Sequence, residues 1–241
     1  MDDTNQAGSL EHGARLPNDE PILITQDELA DDSAETRVDF ERGMSHAPSV
    51  TMALISANVA VFAWEWFGGA LANQQALIAA GALNRAEVEH GQFWRLATSI
   101  FLHADPSHLV GNCVVLYIVG MACEHAYGKS RTLAAYLFSG LAGSCLSVLL
   151  EAGPCVGASG AIFGLLGCVV VFLRRYRHEF YVRDAQIGVV LAVWALYQLA
   201  SGFFDPRTAN MAHLGGLIVG SSAPMILRPR LLGTSPSIIL V

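Results

Sequence analysis

The chain has 241 residues, of which 53% are hydrophobic and only 15% charged, with a mean hydropathy of +0.42. That is too apolar for an ordinary soluble domain and describes a multi-pass membrane protein. The net charge of -7 is local: before Pro48, twelve Asp and Glu face only Arg15, Arg37 and Arg42, which leaves +2 on the remainder and argues against a nucleic-acid partner.

Residues 1–48 read as an acidic, disordered cytosolic tail, with no sustained apolar period. They are too acidic for a mitochondrial transit peptide and lack the basic start and short apolar core of a signal peptide. Residues 49–230 read as an all-α, polytopic six-helix membrane domain, and residues 231–241 as a short C-terminal tail. The six spans, each near the roughly 20 residues that a hydrocarbon layer requires, are Val50 to Ala70, Pro106 to Glu124, Leu133 to Leu150, Ala158 to Leu173, Ala185 to Phe204 and Thr208 to Leu227. Trp64 and Trp66 bracket Glu65 where an aromatic belt would sit, so the carboxylate is expected to reach water. The segment Leu71 to Asp105, with Trp94 and Arg95, reads as an amphipathic loop lying in the interface. Cys113, Cys123, Cys145, Cys155 and Cys168 are odd in number and scattered through apolar runs, so they read as small core residues.

Orientation follows from Lys and Arg. Lys129, Arg131, Arg174, Arg175, Arg177, Arg183, Arg228 and Arg230 fall on one side of the predicted spans, and Arg85, Arg95 and Arg207 on the other. The positive-inside rule then places both termini in the cytosol, and spans two, four and six enter from the external face. The lack of an organelle signal points to a bacterial cell (inner) membrane.

Each of those three spans carries its unusual polar residues near its beginning. Span two opens with Asp105 and Pro106, a cap and first-turn signal, and then presents His108 and Asn112 on one helix face. Span four opens with Ser159, and span six with Asn210 followed by His213. A lone serine among glycines is more often helix glue than a nucleophile, and a lone membrane histidine more often a packed one. Four such groups at similar depth point instead to a site.

The residue types divide the chemistry. A serine hydroxyl needs a base to take its proton, and histidine titrates in the right range, which pairs Ser159 with His213. Acyl transfer develops a negative oxygen that needs prearranged donors; His108, Asn112 and the Ser159 backbone N–H at a helix N-terminus can supply them. Gly160, Gly164 and Gly167 on span four, and Ala212, Gly216 and Gly220 on span six, form stripes that let two helices approach closely. Generic helix packing is the alternative reading of such stripes when they are taken alone. No HExxH and no paired membrane aspartates occur, and no carboxylate or thiol sits at zinc spacing beside His103, His108 and His213, so neither metal nor cofactor is expected.

In this order the motifs HADPSHLVGN (His103, His108, Asn112), GASG (Gly157, Ala158, Ser159, Gly160) and AHLGGLIVG (Ala212, His213, Gly216, Gly220) resemble the rhomboid intramembrane serine proteases. Trp94 and Arg95 match the Trp-Arg pair of that family's first external loop. The resemblance covers residues 50–228. It implies Ser159 as nucleophile and His213 as general base in a dyad, with His108 and Asn112 at the oxyanion hole. Phe163 stands where family members often carry a tyrosine that stacks on the catalytic histidine. His103, Asn210, Gly157 and Gly160 would line the site. The implied substrates are transmembrane protein segments that enter sideways and are cleaved near their outer ends. Two other readings remain: a catalytically silent rhomboid-like protein that binds client transmembrane helices, and a small transporter or channel. The first would lack the serine or histidine; the second would spread polar residues through the full membrane depth.

Overall fold

A computed structural model describes residues 37–151, 153–204 and 208–234. Nine α-helices follow one another among these residues: α1 (Ser49–Phe67), α2 (Gln74–Ala80), α3 (Arg85–Glu89), α4 (Arg95–Thr98), α5 (Pro106–Tyr127), α6 (Lys129–Leu150), α7 (Ser159–Arg175), α8 (Val182–Gly202) and α9 (Asn210–Ile226). A single 3-10 turn, Leu231–Thr234, comes last. Helices α1, α5, α6 and α8 are each long and apolar enough to cross a membrane. Helices α7 and α9 have 17 residues each. Residues 1–36 and 235–241, which the sequence assigns to the tails, lie outside the described part.

Local chemistry sets the helix ends. The Asp105 carboxylate accepts the His108 N–H at 2.9 Å and Pro106 fills the first turn, so α5 starts sharply beside the future site. The segment between α1 and α5, expected as an amphipathic loop, is partly helical: Asn73 and Asn84 cap the short helices α2 and α3 by accepting N–H groups of Ala76 and Ala86 at 2.9 and 3.0 Å. Arg95 holds this segment together. It is 4% exposed, donates to the Ile78 and Ala82 carbonyls and to the Gln92 side chain, and lies 3.8 Å from Glu87. Trp94 beside it is exposed, with the Arg95 guanidinium 4.7 Å from its ring centre.

Helix α7 forms the middle of the bundle, and its residues from Gly160 to Val169 are all buried. It packs on α5, α6, α8 and, most extensively, α9. The α7–α9 approach is backbone on backbone. A Cβ at Gly216 or Gly220 would fall onto the carbonyl of Gly160 or Gly164, so no side chain of any size fits at either position.

Buried charges fasten the helix termini rather than face water. The sequence leads one to expect the Glu65 carboxylate to reach water, but Glu65 is fully buried and accepts the His103 backbone N–H at 3.1 and 3.2 Å. Its partner lies 38 residues downstream, so the flanking tryptophans could not reveal it. Glu124 caps a different helix from its own: its oxygens accept from Val50 N, Thr51 N and the Thr51 and Ser49 hydroxyls at 3.0–3.3 Å, where α1 starts at Pro48 without a side-chain cap of its own. Half-buried Glu151 does the same, accepting the Met211 N–H at 2.9 Å and the Ser147 hydroxyl at 2.5 Å and tying α6 to the start of α9.

Residues 37–47 are packed against the bundle. Phe40 is buried among His125, Phe172 and Phe180. Its N–H donates to buried Asp184 at 3.1 Å, and Arg183 pairs with Asp39 at 2.7 Å. The cysteines are all free, with the Cys123 and Cys168 sulfurs 3.9 Å apart in the core. Cys145, expected inside, is exposed on the bundle surface, because a thiol is apolar enough to face lipid as well as protein.

Two outcomes follow from these contacts. Glu124→Ala removes the side-chain acceptor that the α1 N-terminus has among the described residues and should cost roughly 2 kcal/mol, read by denaturant titration in detergent. Gly220→Val should destabilise the bundle by more, through enforced separation of α7 and α9; an unchanged midpoint for either variant would contradict the packing described.

Candidate functional site

Ser159 is the first residue of α7, and His213 lies in the first turn of α9. The close α7–α9 contact brings His213 Nε2 within 2.9 Å of Ser159 Oγ. His213 is 9% exposed, and its Nδ1 has no hydrogen-bond partner among the described residues. For the serine to donate to Nε2, the imidazole proton must sit on Nδ1, and among the described residues no carboxylate holds it there.

An aromatic stack fixes the imidazole plane. The Phe163 ring lies parallel to His213, with centroids 4.3 Å apart and an interplanar angle of 10°. Phe163 also stacks with Trp194 of α8 at 6.2 Å and 22°. Trp194 went unsuspected in the sequence: it is one more apolar residue in an apolar span, and only the α7–α8 packing aims it at Phe163.

The donors come from α5 and converge just before the serine. Gly157 has φ +124°, and a Cβ there would stand 2.6 Å from His108 Cε1 and 3.4 Å from Asn112 Nδ2. The positive φ and the absent side chain let the 155–158 turn run against both residues. Its register is held by Gly157 N–H donating to the Ser99 carbonyl at 2.9 Å and by paired backbone bonds between Leu83 and Cys155. Asn112 is 8% exposed, and its Nδ2 donors have no partner among the described residues. Gly160 faces the Ala212 carbonyl, whose oxygen would stand 3.0 Å from a Cβ placed there, a tight fit.

His103 lies behind this set. Its ring meets that of His108 edge-on at 5.2 Å, its Nδ1 is 3.2 Å from the Phe101 carbonyl, and its backbone is held by Glu65. Asn210 points elsewhere: its Nδ2 donates to the Leu199 carbonyl at 2.9 Å and so joins α9 to α8. Among the described residues no three His, Cys, Asp or Glu side chains are grouped to hold a metal ion.

Burial, and secondarily the neighbouring His108, pushes His103 down from 6.5 to about 4. The Ser107 hydroxyl, then the His108 N–H, hold the Asp105 carboxyl below its usual range. Both folded-state values lie under the unfolded ones, so the associated stability is present at neutral pH and lost on acidification.

The site sits in a helical bundle with four helices of membrane-spanning length, which makes the chain an integral membrane protein. The family model described as Rhomboid domain matches residues 90–230, and the chain belongs to the rhomboid family. It is 35% identical over 180 residues to Rhomboid protease GluP of Bacillus subtilis (strain 168), covering 75% of this chain and 35% of that protein. It is 30% identical to Rhomboid protease AarA of Providencia stuartii, covering 78% of this chain and 75% of AarA. RHOMBOID-like protein 5 of Arabidopsis thaliana is 38% identical over 155 residues, 62% of this chain and 50% of that protein. The chain thus spans between about a third and a half of the length of GluP and RHOMBOID-like protein 5.

Thermal unfolding midpoints should stay flat at neutral pH and fall as pH drops from 6.5 toward about 4, the window set by His103. His103→Gln should show a smaller drop across the same window, and equal slopes for the two proteins would count against a buried neutral imidazole.

Proposed function

We propose that the chain is an intramembrane serine endopeptidase that cleaves peptide bonds in or near transmembrane segments through a Ser159–His213 dyad. The observation that carries this reading is the 2.9 Å contact between His213 Nε2 and Ser159 Oγ at the mouth of two tightly packed helices. In the proposed reaction Ser159 Oγ attacks the scissile carbonyl carbon while its proton passes to Nε2. The tetrahedral oxyanion is held by His108, Asn112 and the backbone N–H of Ser159, and the dipole of α7 favours the negative charge. Collapse of the intermediate breaks the C–N bond, and His213 gives its proton to the leaving amine. Water, with His213 again as base, then hydrolyses the serine ester and frees the enzyme.

The proposed membrane domain comprises residues 49–230, with α1, α5, α6, α7, α8 and α9 as six spans. Helices α7 and α9, at about 26 Å for 17 residues, would be the shortest spans, α7 enclosed by the bundle and α9 with Ile218, Met225 and Ile226 exposed on its outer side. The Lys and Arg distribution supports cytosolic termini, with the site in the outer half of a bacterial inner membrane. A peptide bond within a stable helix is already hydrogen-bonded and shielded, so substrates should carry small or helix-weakening residues near the cut.

The test is cleavage of a transmembrane substrate co-reconstituted in liposomes, with fragments weighed by mass spectrometry. Ser159→Ala should yield no fragments, and Asn112→Ala should lower the rate by on the order of 10² to 10³. Substrate that binds wild-type protein yet stays intact would favour a silent client-binding role, and fragments from Ser159→Ala would eliminate Ser159 as nucleophile.

A further inference from the structure

At the opposite end of α5 from His108, about 33 Å along a helix of 22 residues, the chain turns sharply at Gly128 and α6 begins. Lys129 and Arg131 from the start of α6, and Arg228 and Arg230 from the segment after α9, line a common groove of about 630 Å³ with Gly128 and Ser130. These pairs are roughly a hundred residues apart in sequence, and specific bonds bring them together. Arg131 donates to the Arg228 carbonyl at 2.7 Å, the Arg230 N–H donates to the Ala126 carbonyl at 2.8 Å, and the Arg230 side chain packs against Gly128.

All four cations are exposed, and among the described residues none of them forms an ion pair. The carboxylate of Glu124, which borders an adjoining cavity with Lys129 and Arg230, is already occupied in capping α1. The first turn of α6 has no side-chain cap, so its N–H groups and positive dipole end face the same place. Charges placed only to orient the chain in the membrane need merely lie on one side. Here they converge on one concave spot, with guanidinium forks and backbone donors of the kind that hold phosphate oxygens.

We propose that this groove binds the phosphodiester headgroup of an anionic membrane phospholipid. The depth supports a lipid source: a hydrocarbon layer is about 30 Å thick, so a helix of this length that starts at one interface ends at headgroup level on the other. The inference is independent of the peptidase reading and survives its failure, since it concerns residues remote from Ser159.

The test is native mass spectrometry of the full chain, purified in detergent and titrated separately with phosphatidylglycerol and phosphatidylcholine. Phosphatidylglycerol should be retained more tightly. Lys129→Gln with Arg228→Gln, both exposed side chains without a described bond of their own, should weaken its retention by on the order of tenfold. Arg174→Gln with Arg177→Gln removes two exposed cations, one from the last turn of α7 and one just beyond it, and should leave retention unchanged. Equal loss in both double variants, or no preference between the two lipids, would reduce the groove to general surface charge and overturn the proposal. Displacement of the lipid by millimolar inorganic phosphate would identify a free anion as the occupant and overturn the lipid assignment. Thermal unfolding of the double variant in phosphatidylcholine alone should match wild type, which separates lost binding from lost fold.

Discussion

The geometry of the site depends on a place where side chains are missing. Within a bilayer, helices gain little from hiding apolar surface from one another, since lipid is as apolar as leucine; close contact between backbones has to supply the attraction. Gly216 and Gly220 of α9 face the carbonyls of Gly160 and Gly164 of α7 with no room for a Cβ between them. That approach sets the axial separation of the two helices, and the separation places a short serine side chain within 2.9 Å of an imidazole from its neighbour. The Phe163 and Trp194 rings then restrict rotation of the imidazole, so both distance and plane are determined before any substrate arrives.

A second layer of constraint comes from buried and half-buried charged groups. Glu65, Arg95, Glu124 and Glu151 each spend hydrogen bonds on backbone groups at a helix or loop terminus. In a medium without water such termini are costly to leave unpaired, so a single buried carboxylate or guanidinium does more for the ends of the bundle than further apolar contact would. Glu65 in particular anchors the His103 backbone, and His103 in turn supports the His108 ring edge-on. A chain of contacts therefore runs from the first helix to the donors beside Gly157.

Much of this was legible in the sequence, and the boundary has physical reasons. Apolar runs of membrane length identify helices because lipid tolerates little else, and helix ends such as Pro106 and Leu150 fall at the residues their capping and composition suggest. Ser159, His108, Asn112 and His213 stand out because polar side chains are rare at such depth. What stayed hidden depends on contacts between distant residues. Glu65 looks like an interfacial charge until its partner is known, Phe40 sits in a polar stretch with no apolar period, and Trp194 resembles its lipid-facing neighbours. Asn210 illustrates the converse: its position suggested the site, but its amide is taken by the Leu199 carbonyl.

The proposed chemistry requires that the hydroxyl next to His213 be the reactive one in the whole chain. The most direct measurement is reaction of the reconstituted protein with a fluorophosphonate, followed by peptide mapping of the adduct. The account predicts one phosphonylated residue, Ser159, formed in wild type and lost when His213 is replaced by alanine. An adduct on another side chain, or equal modification of Ser159 without the histidine, would contradict it.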